Sequence, residues 1–388
     1  MSALAAPPAV RCADDAPAAP AGLAATDLDA RYAALAARDG LLPVRMTAFY
    51  RAKVEAEIAA LGGRHGPLAR TALPTEDRIA LHVGDEVADW VDDRSNMGAP
   101  ATKAVVHKYA DRVLFMPTAL CAGHCQYCFR QDVLSEAHDA ARTRVAEELA
   151  HLLGYLAGKP EVSEVVLSGG DPMMLPARDL AMVLERLRAL PQIRSIRLHS
   201  RVPAFAPRLL VDEARLAALA EARVRFVCHF VHPDEICDEV AAALAVMTRR
   251  GVRLYNHFPM LRGTNDHVAV VARLIERLDD LGVRTLSVYV PEPIRHSAAF
   301  RLPLDRFFAI QDQLTTGYPS WINAVRFTLD SPIGKVRREQ IVGRDAAKGV
   351  VTFRRDGRDF DYPDFPAHLD RPGDPAVMLW KERLGRSS

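Results

Sequence analysis

Three cysteines lie close together in the chain, Cys121, Cys125 and Cys128, in the spacing C-x3-C-x2-C. Thiolates are the ligands of iron–sulfur clusters and of structural zinc. A structural zinc site needs four protein ligands, and no fourth cysteine lies near these three in the sequence. Three thiolates on a four-iron cluster would leave one iron open, where a small molecule could chelate and accept an electron. Buried apolar cysteines and a zinc loop completed by His124 are the alternatives. Zinc is disfavoured because His124 lies inside the ligand loop.

The residues around these cysteines resemble a known family. The aromatic residue before the last cysteine, Tyr127, is similar to the signature of radical S-adenosylmethionine (SAM) enzymes, and the continuation Cys128-Phe129-Arg130 resembles the lysine 2,3-aminomutase group. The similarity runs from about Arg45 to Pro363. It implies a [4Fe-4S] cluster held by the three cysteines, with SAM and pyridoxal 5′-phosphate (PLP) as further cofactors. It also implies a free amino acid as small-molecule substrate, a flavodoxin or ferredoxin as electron donor, and a homo-oligomer.

Composition argues against several kinds of protein. The chain has 388 residues, of which 49% are hydrophobic, and a formal net charge of +1. The near-zero charge argues against a protein that binds nucleic acid or another polyanion through bulk charge. No apolar run approaches the roughly 20 residues of a membrane span. Six cysteines, three of them scattered, do not make a disulfide framework, so a reducing cytoplasm is the expected location.

From about Arg112, short apolar segments alternate with segments whose apolar residues recur every three or four positions. This alternation predicts a parallel sheet with crossover helices. A doubly wound sheet would show the same pattern. The cluster loop after the first strand favours, by resemblance, an α/β fold with a partial (β/α)6 TIM-like barrel of the radical SAM type. The predicted strands are Val113–Leu120, Glu164–Leu167, Ser195–Leu198, Val224–Phe230, Val252–Phe258 and Thr285–Val290. The predicted helices between and after them are Ala141–Leu156, Ala177–Leu190, Arg215–Glu221, Glu235–Arg249, Val268–Leu281 and Leu304–Leu314.

Four regions are expected along the chain. Residues 1–25, rich in Ala and Pro, are predicted to form a flexible arm. Residues 26–106 form an N-terminal helical region, with helices at Leu28–Ala37, Ala48–Leu61 and Thr75–Trp90, that packs on the barrel and carries no chemical motif. Residues 107–325 form the radical SAM core barrel. Residues 326–388 form a C-terminal extension, the PLP-lysine segment and tail.

The second predicted strand ends in Gly169-Gly170-Asp171. Two glycines let the backbone approach a ligand closely, and Asp171 can cap the following turn. A plain tight turn fits these residues equally well. By resemblance, this motif lies beside the methionyl amine of SAM.

Polar residues follow two further strands, as expected where chemistry gathers at the C-terminal ends of barrel strands. Ser200 could bind a ribose hydroxyl and Arg201 a carboxylate. By resemblance this stretch, with Tyr127, lies near SAM, and His229 is a further cofactor-binding candidate. A metal held jointly by His229 and His232 is disfavoured, because on a strand the two side chains would point to opposite faces.

PLP is expected to bind two separate segments. Lys108 and Arg112 would suit a phosphate, and Tyr109 could hydrogen-bond or stack. By resemblance this segment binds the PLP phosphate, with Lys108 in place of the family's arginine. Lys335, after Asp330–Gly334, matches the catalytic lysine that forms the Schiff base with PLP, although the family's glycine run is shortened. A partly buried site near cations is expected to lower the pKa of this lysine. From the residues alone, a solvated charge cluster and a surface lysine are the alternatives.

The substrate is expected to contact three residues. By resemblance, Arg130 binds the substrate carboxylate, while Asp330 and Glu292, which replaces an aspartate, hold the distal ammonium of a basic amino acid. The implied reaction moves the α-amino group to the β-carbon, an isomerisation, with L-lysine as the first candidate. Arginine, another amino acid or a protein-bound lysine remain open. An iron–sulfur and SAM-binding regulatory protein is the non-enzyme alternative.

Overall fold

The computed structural model describes residues 27–98, 102–138 and 145–384. The predicted arm at residues 1–25 lies outside the described residues. Eight strands form one sheet whose spatial order equals their order in the chain, and three more form a small C-terminal sheet. The strands are β1 Val105–Tyr109, β2 Arg112–Phe115, β3 Glu164–Leu167, β4 Ser195–Ser200, β5 Arg225–Cys228, β6 Arg253–Pro259, β7 Val283–Tyr289, β8 Arg326–Thr328, β9 Ile341–Asp345, β10 Val350–Arg355 and β11 Arg358–Pro363.

Helices alternate with the strands and form the outer layer. They are α1 Asp27–Asp39, α2 Ala48–Ala60, α3 Pro67–Ala72, α4 Glu76–Ala80, α5 Gln131–His138, α6 Val145–Ala157, α7 Ala177–Arg188, α8 Val202–Phe205, α9 Glu213–Glu221, α10 Asp238–Arg249, α11 Val268–Asp279, α12 Leu304–Gly317, α13 Ser320–Asn323, α14 Pro375–Met378 and α15 Trp380–Leu384. None of the described helices is both long enough and apolar enough to cross a membrane.

The main sheet is the predicted partial barrel. Strands β2 to β8 run parallel, each paired with the strand before it, and β1 pairs antiparallel with β2. Within the described residues no pairing joins β8 to β1, so the barrel stays open on one side. The predicted α/β fold is therefore confirmed, with a seventh parallel strand, β8, beyond the six expected.

The two-residue period of a strand decides which side chains reach the barrel interior. In β4, Ile196 and Leu198 are buried on the side of the helices, and α7 presents a matching apolar stripe that includes Leu180, Val183 and Leu187. The alternate residues of β4, Arg197 and His199, line the interior cavity instead. One strand thus supplies both core packing and polar groups to the cavity.

The N-terminal helices hold the loop of the three cysteines against the barrel. The Gln126 N–H donates to the carbonyl of Thr71 at 2.9 Å, and the His124 ring bonds the carbonyl of Pro43 at 2.7 Å. The ring of Tyr50 stacks on Phe205 with 4.2 Å between centroids. This region therefore does more than cover the barrel, because it fixes the backbone on both sides of Cys125.

Two local predictions were wrong. The helix predicted at Thr75–Trp90 is limited to α4, and irregular backbone follows it, since that stretch contains Gly84 and acidic residues that favour turns. Lys108 and Tyr109, placed before the first strand, belong to the unpredicted strand β1. Only two residues separate β1 from β2, and the polar residues at the end of β1 interrupt the apolar pattern that would indicate a strand.

The C-terminal sheet packs against Trp90, which lies between α4 and β1. Strands β10 and β11 form a hairpin whose turn, Asp356-Gly357, has positive φ at both positions, as a two-residue hairpin loop requires. Trp90 packs edge-on against Phe360 and Tyr362, and its indole N–H donates to the carbonyl of Asp330 at 2.8 Å. The hairpin is therefore tied to the segment that carries Lys335.

Candidate active site

One cavity of about 640 Å³ lies inside the partial barrel, at the C-terminal ends of its strands. Cys121, Cys125 and Cys128 lie on its wall, and so does Lys335, more than two hundred residues further along the chain. The cavity therefore brings together the two features that the sequence marked most clearly. The described Cys228 and Cys237 do not line this cavity, and neither does His124, whose ring is bonded to a backbone carbonyl.

The three thiols form a donor set suited to a metal cluster. Burial raises the pKa of all three, that of Cys128 to about 12, and neighbouring thiolates raise the pKa of Cys121 and Cys128 further. Without a bound cation they would stay neutral thiols at pH 7. An iron–sulfur cluster would bind them as thiolates, so three partly buried cysteines, with no fourth among the described residues of the cavity wall, fit a cluster with one open iron.

Glycines make room for the cluster loop. A Cβ on Gly170 would lie 2.5 Å from the carbonyl oxygen of Leu120, just before Cys121, and a Cβ on Gly123 would lie 2.3 Å from the ring of Phe205. Gly169 has φ +100°, a conformation that L side chains rarely adopt. The glycine pair after β3 therefore lies directly against the backbone that leads into the cysteine loop.

Asp171 ties the ends of β3 and β4 together. Its carboxylate accepts hydrogen bonds from the Ser200 hydroxyl at 2.8 and 3.0 Å and from the backbone N–H groups of Met173, Arg201 and Val202 at 2.7 to 3.0 Å. It caps the turn at Met173, as the sequence predicted. Ser200 lies at the cavity, but its hydroxyl already donates to Asp171, so its contacts do not favour the predicted ribose role.

Arg201 pairs with a carboxylate of the protein. Its guanidinium lies 2.6 Å from the fully buried Glu235 and donates to the carbonyl of His229 at 2.6 Å. The ring of Tyr127 lies 5.5 Å from the guanidinium carbon, and the Tyr50 hydroxyl donates to Glu235 at 2.9 Å. The carboxylate predicted for Arg201 is therefore Glu235, and this buried network supports the wall beside Cys125.

Three histidines meet on the cavity wall, one each from β4, the end of β5, and β6. His199, His229 and His257 have ring centroids 4.4 to 5.3 Å apart. Burial lowers the pKa of His229 to about 3 and holds those of His199 and His257 well below their usual value, so all three are neutral at pH 7. His232, in contrast, is fully buried outside the cavity and caps a turn.

Lys335 lies beside an acid and an aromatic ring. Its ammonium is 2.6 Å from the Asp330 carboxylate and 4.5 Å from the centroid of the Tyr289 ring. Burial alone would lower the pKa of Lys335, but Asp330, with Tyr289 and Tyr109, outweighs it and raises this pKa above its usual value. The expected lowering of the pKa was wrong because the nearest charge is an acid and not a cation.

Lys108 has other partners than the predicted phosphate. Its ammonium donates to the carbonyls of Val91 and Ser331, and burial lowers its pKa. It therefore fixes the turn that precedes Lys335, in which the Ser331 hydroxyl also donates to the carbonyl of Gly334 at 2.6 Å. These contacts do not support a phosphate role for Lys108.

The remaining predicted residues, Tyr109, Arg112, Arg130 and Glu292, also line the cavity. Arg130 donates to Asp93 at 2.9 Å and to the Ser168 hydroxyl at 3.3 Å. Burial raises the pKa of Glu292 to about 7, and the neighbouring Asp330 adds to this.

Sequence reasoning missed several groups on the cavity wall: Asp93, Arg197, His199, His257, Tyr289, Arg337, Gln340, Arg355 and Asp356. The period-two pattern of β4 could have identified Arg197 and His199 as inward-facing residues. The Asp356-Gly357 pair is a strong hairpin signal. Nothing local in the sequence places that hairpin at the cavity.

Comparison with known proteins agrees with this geometry. The profile of the Radical SAM superfamily matches residues 115–293. The L-lysine 2,3-aminomutase of Escherichia coli is 30% identical over 257 residues, which cover 66% of this chain and 72% of that protein. The enzyme of the same name from Fusobacterium nucleatum is 30% identical over 268 residues, covering 69% of this chain and 61% of that protein. The one from Clostridium subterminale is 29% identical over 268 residues, covering 69% and 62%.

A structure of Streptococcus suis SuiB bound to the precursor peptide SuiA aligns over 58% of this chain and 49% of that chain, at 13% identity and a TM-score of 0.43. At this score the two folds are only loosely alike.

Proposed function

Because the chain belongs to the lysine 2,3-aminomutase family of radical SAM enzymes, we propose that it is a PLP-dependent 2,3-aminomutase of a basic amino acid, with L-lysine as the first candidate. The observation that carries this proposal is the shared cavity, in which three thiols and the amine of Lys335 face one volume of about 640 Å³. When bound, SAM at a four-iron cluster would supply a 5′-deoxyadenosyl radical, and PLP would carry the amino group that migrates.

The residues of the cavity divide these tasks. Cys121, Cys125 and Cys128 would hold the cluster, and the backbone of Gly170 lies next to Leu120, which leads into their loop. The cavity lies inside the barrel, which limits the access of water to reactive species. Reduction of the cluster requires an external donor of the flavodoxin or ferredoxin type, and we expect a homo-oligomer.

Lys335, also on the cavity wall, would provide the amine that attaches PLP. Arg130 offers a guanidinium to the substrate carboxylate, oriented by Asp93 at 2.9 Å. Asp330 and Glu292 provide two acids for a distal ammonium group. Such a pair favours a cationic side chain, since a neutral one would offer these partly buried acids no opposite charge.

Reconstituted enzyme provides the test. Anaerobic protein with iron, sulfide, SAM, PLP and a reductant is incubated with L-lysine, L-arginine or L-ornithine, and β-amino acid products are measured by mass spectrometry. Lys335→Ala should abolish product and the covalent PLP link, whereas Lys348→Ala, on an exposed turn, should retain both.

Cys125→Ala should lose the cluster iron and Cys237→Ala should keep it. A protein that holds cluster, SAM and PLP yet converts none of these amino acids would disprove the proposal for basic amino acids.

A further inference from the structure

Arg355, the last residue of β10, reaches from the C-terminal sheet to the segment of Lys335. Its terminal nitrogen donates to the Lys335 carbonyl at 3.0 Å. A Cβ on Gly334 would lie 2.3 Å from that nitrogen, and Gly334 has φ +100°. Gly334 is thus the residue that allows a guanidinium to lie directly beside the backbone of the PLP-attaching lysine.

A second arginine packs on the same ring. The guanidinium carbon of Arg112 lies 4.5 Å from the ring centroid of Tyr109, and that of Arg355 lies 5.9 Å from it. Both arginines line the cavity. Their acidic neighbours are Asp111, 3.1 Å from Arg112, and Asp356, 3.1 Å from Arg355. These acids are 62% and 83% exposed, so water screens them more than it screens the arginines.

We propose that Arg355 joins Arg112 in binding the phosphate of PLP, a task that the sequence assigned to Lys108 and Arg112. This inference rests on the proposed function. Two guanidinium groups present planar forks of N–H donors that match a phosphate, which a single ammonium does not. Lys108 already donates to two backbone carbonyls. Arg355 also touches the residue that attaches PLP, so one hairpin connects the two ends of the cofactor site.

The test compares PLP with pyridoxal, which has the same aldehyde and no phosphate. Attachment to Lys335 is trapped with borohydride and counted by mass spectrometry as each ligand is titrated into wild type, Arg355→Met, Arg355→Lys and Arg354→Met. Arg354 is the matched control, since it lies on the same strand and pairs with Asp359 on the surface. Arg355→Met should weaken PLP binding about 10- to 100-fold, the range of a charge-assisted hydrogen bond, and leave pyridoxal unchanged. The PLP affinity of Arg355→Lys should lie between those of wild type and Arg355→Met, and the affinity of Arg354→Met should equal that of wild type.

Each other outcome has a distinct meaning. Equal weakening of PLP and pyridoxal would show that Arg355 only positions the Lys335 segment, and would overturn the phosphate role, as would no change at all. If wild type attaches PLP, but Arg355→Met does not weaken PLP binding more than pyridoxal binding, the proposed function survives and this inference fails.

If wild type attaches no PLP, the proposed function fails, and calorimetric titration with inorganic phosphate decides on the site. Phosphate binding lost in Arg355→Met would support an anion site for another phosphorylated ligand. Binding independent of Arg355 would overturn the inference.

Discussion

The ion pair between Asp330 and Lys335 gives a quantitative prediction. Asp330→Asn removes the charge and nearly keeps the shape. At the observed 2.6 Å, two unit charges attract each other by roughly 6 kcal/mol at an effective dielectric constant of about 20, which is an upper bound. Because 43% of the Lys335 side chain is exposed, solvent reduces this to about 1–2 kcal/mol. One pKa unit corresponds to about 1.4 kcal/mol, so the substitution should lower the pKa of Lys335 by about one unit.

The assay is the pH profile of reductive methylation at Lys335, followed peptide by peptide with mass spectrometry in protein without PLP. Only the neutral amine reacts, so at a fixed pH below its pKa Asp330→Asn should react about ten times faster than wild type. Asp356→Asn is the control, because Asp356 also lies at the cavity but pairs with Arg355. An unchanged profile for Asp330→Asn would refute the conclusion that Asp330 keeps Lys335 charged.

Three further predictions concern the cavity wall. Gly170→Ala should cost about 1–3 kcal/mol of unfolding free energy, because its Cβ meets backbone of the cysteine loop, and should impair iron retention. Glu235→Gln should cost about 3–5 kcal/mol in urea unfolding, because it leaves the buried Arg201 without its charged partner. For Glu292, kcat/KM with a basic amino acid should rise with pH through about 7, since the carboxyl is neutral below that pKa and attracts an ammonium only above it. Glu292→Gln should remove that rise.

Each of these predictions has a control. Gly154→Ala, in α6 with no atom within 4 Å of the new Cβ, should leave iron binding intact. Glu164→Gln breaks the more exposed pair with Arg197 and should cost less than Glu235→Gln. The argument on Gly170 is contradicted if Gly170→Ala and Gly154→Ala retain iron equally. The argument on Glu235 is contradicted if Glu235→Gln and Glu164→Gln are equally stable. The argument on Glu292 is contradicted if kcat/KM of Glu292→Gln still rises with pH.

The fold was predictable because its signals are local. Apolar segments such as Val165–Leu167 and amphipathic helices such as α7 alternate regularly, and each indicates its own structure. Strand β1 was missed because its last residues, Lys108 and Tyr109, are polar where a buried strand would be apolar. The short β8 was missed for lack of length, since three residues carry too little periodicity to distinguish a strand.

The cavity was only partly predictable, because much of it depends on contacts between distant segments. The cysteine spacing identified one end without any tertiary information. Lys335 could be matched by resemblance, but its protonation depends on the pairing with Asp330 across a folded turn, and the expectation of a site near cations gave the opposite direction. Arg355 lies at the cavity only because the hairpin folds back over Gly334.

Asp330 cannot pair with the Lys335 ammonium and with the distal ammonium of a substrate at the same time. Attachment of PLP to Lys335 should therefore affect substrate binding. In the free protein Lys335 occupies Asp330 at 2.6 Å, and a cationic side chain would have to displace that lysine. Once PLP is attached, the nitrogen of Lys335 is committed to the cofactor and Asp330 becomes available. ε-Aminocaproate, which has a carboxylate and a distal ammonium but no α-amine, should therefore bind about ten times more tightly to PLP-loaded protein than to protein without PLP, as the 1–2 kcal/mol above implies. Calorimetry measures this ratio directly. Asp330→Asn should reduce it to about one, and a wild-type ratio of one would mean that Asp330 is not the acceptor of the distal ammonium.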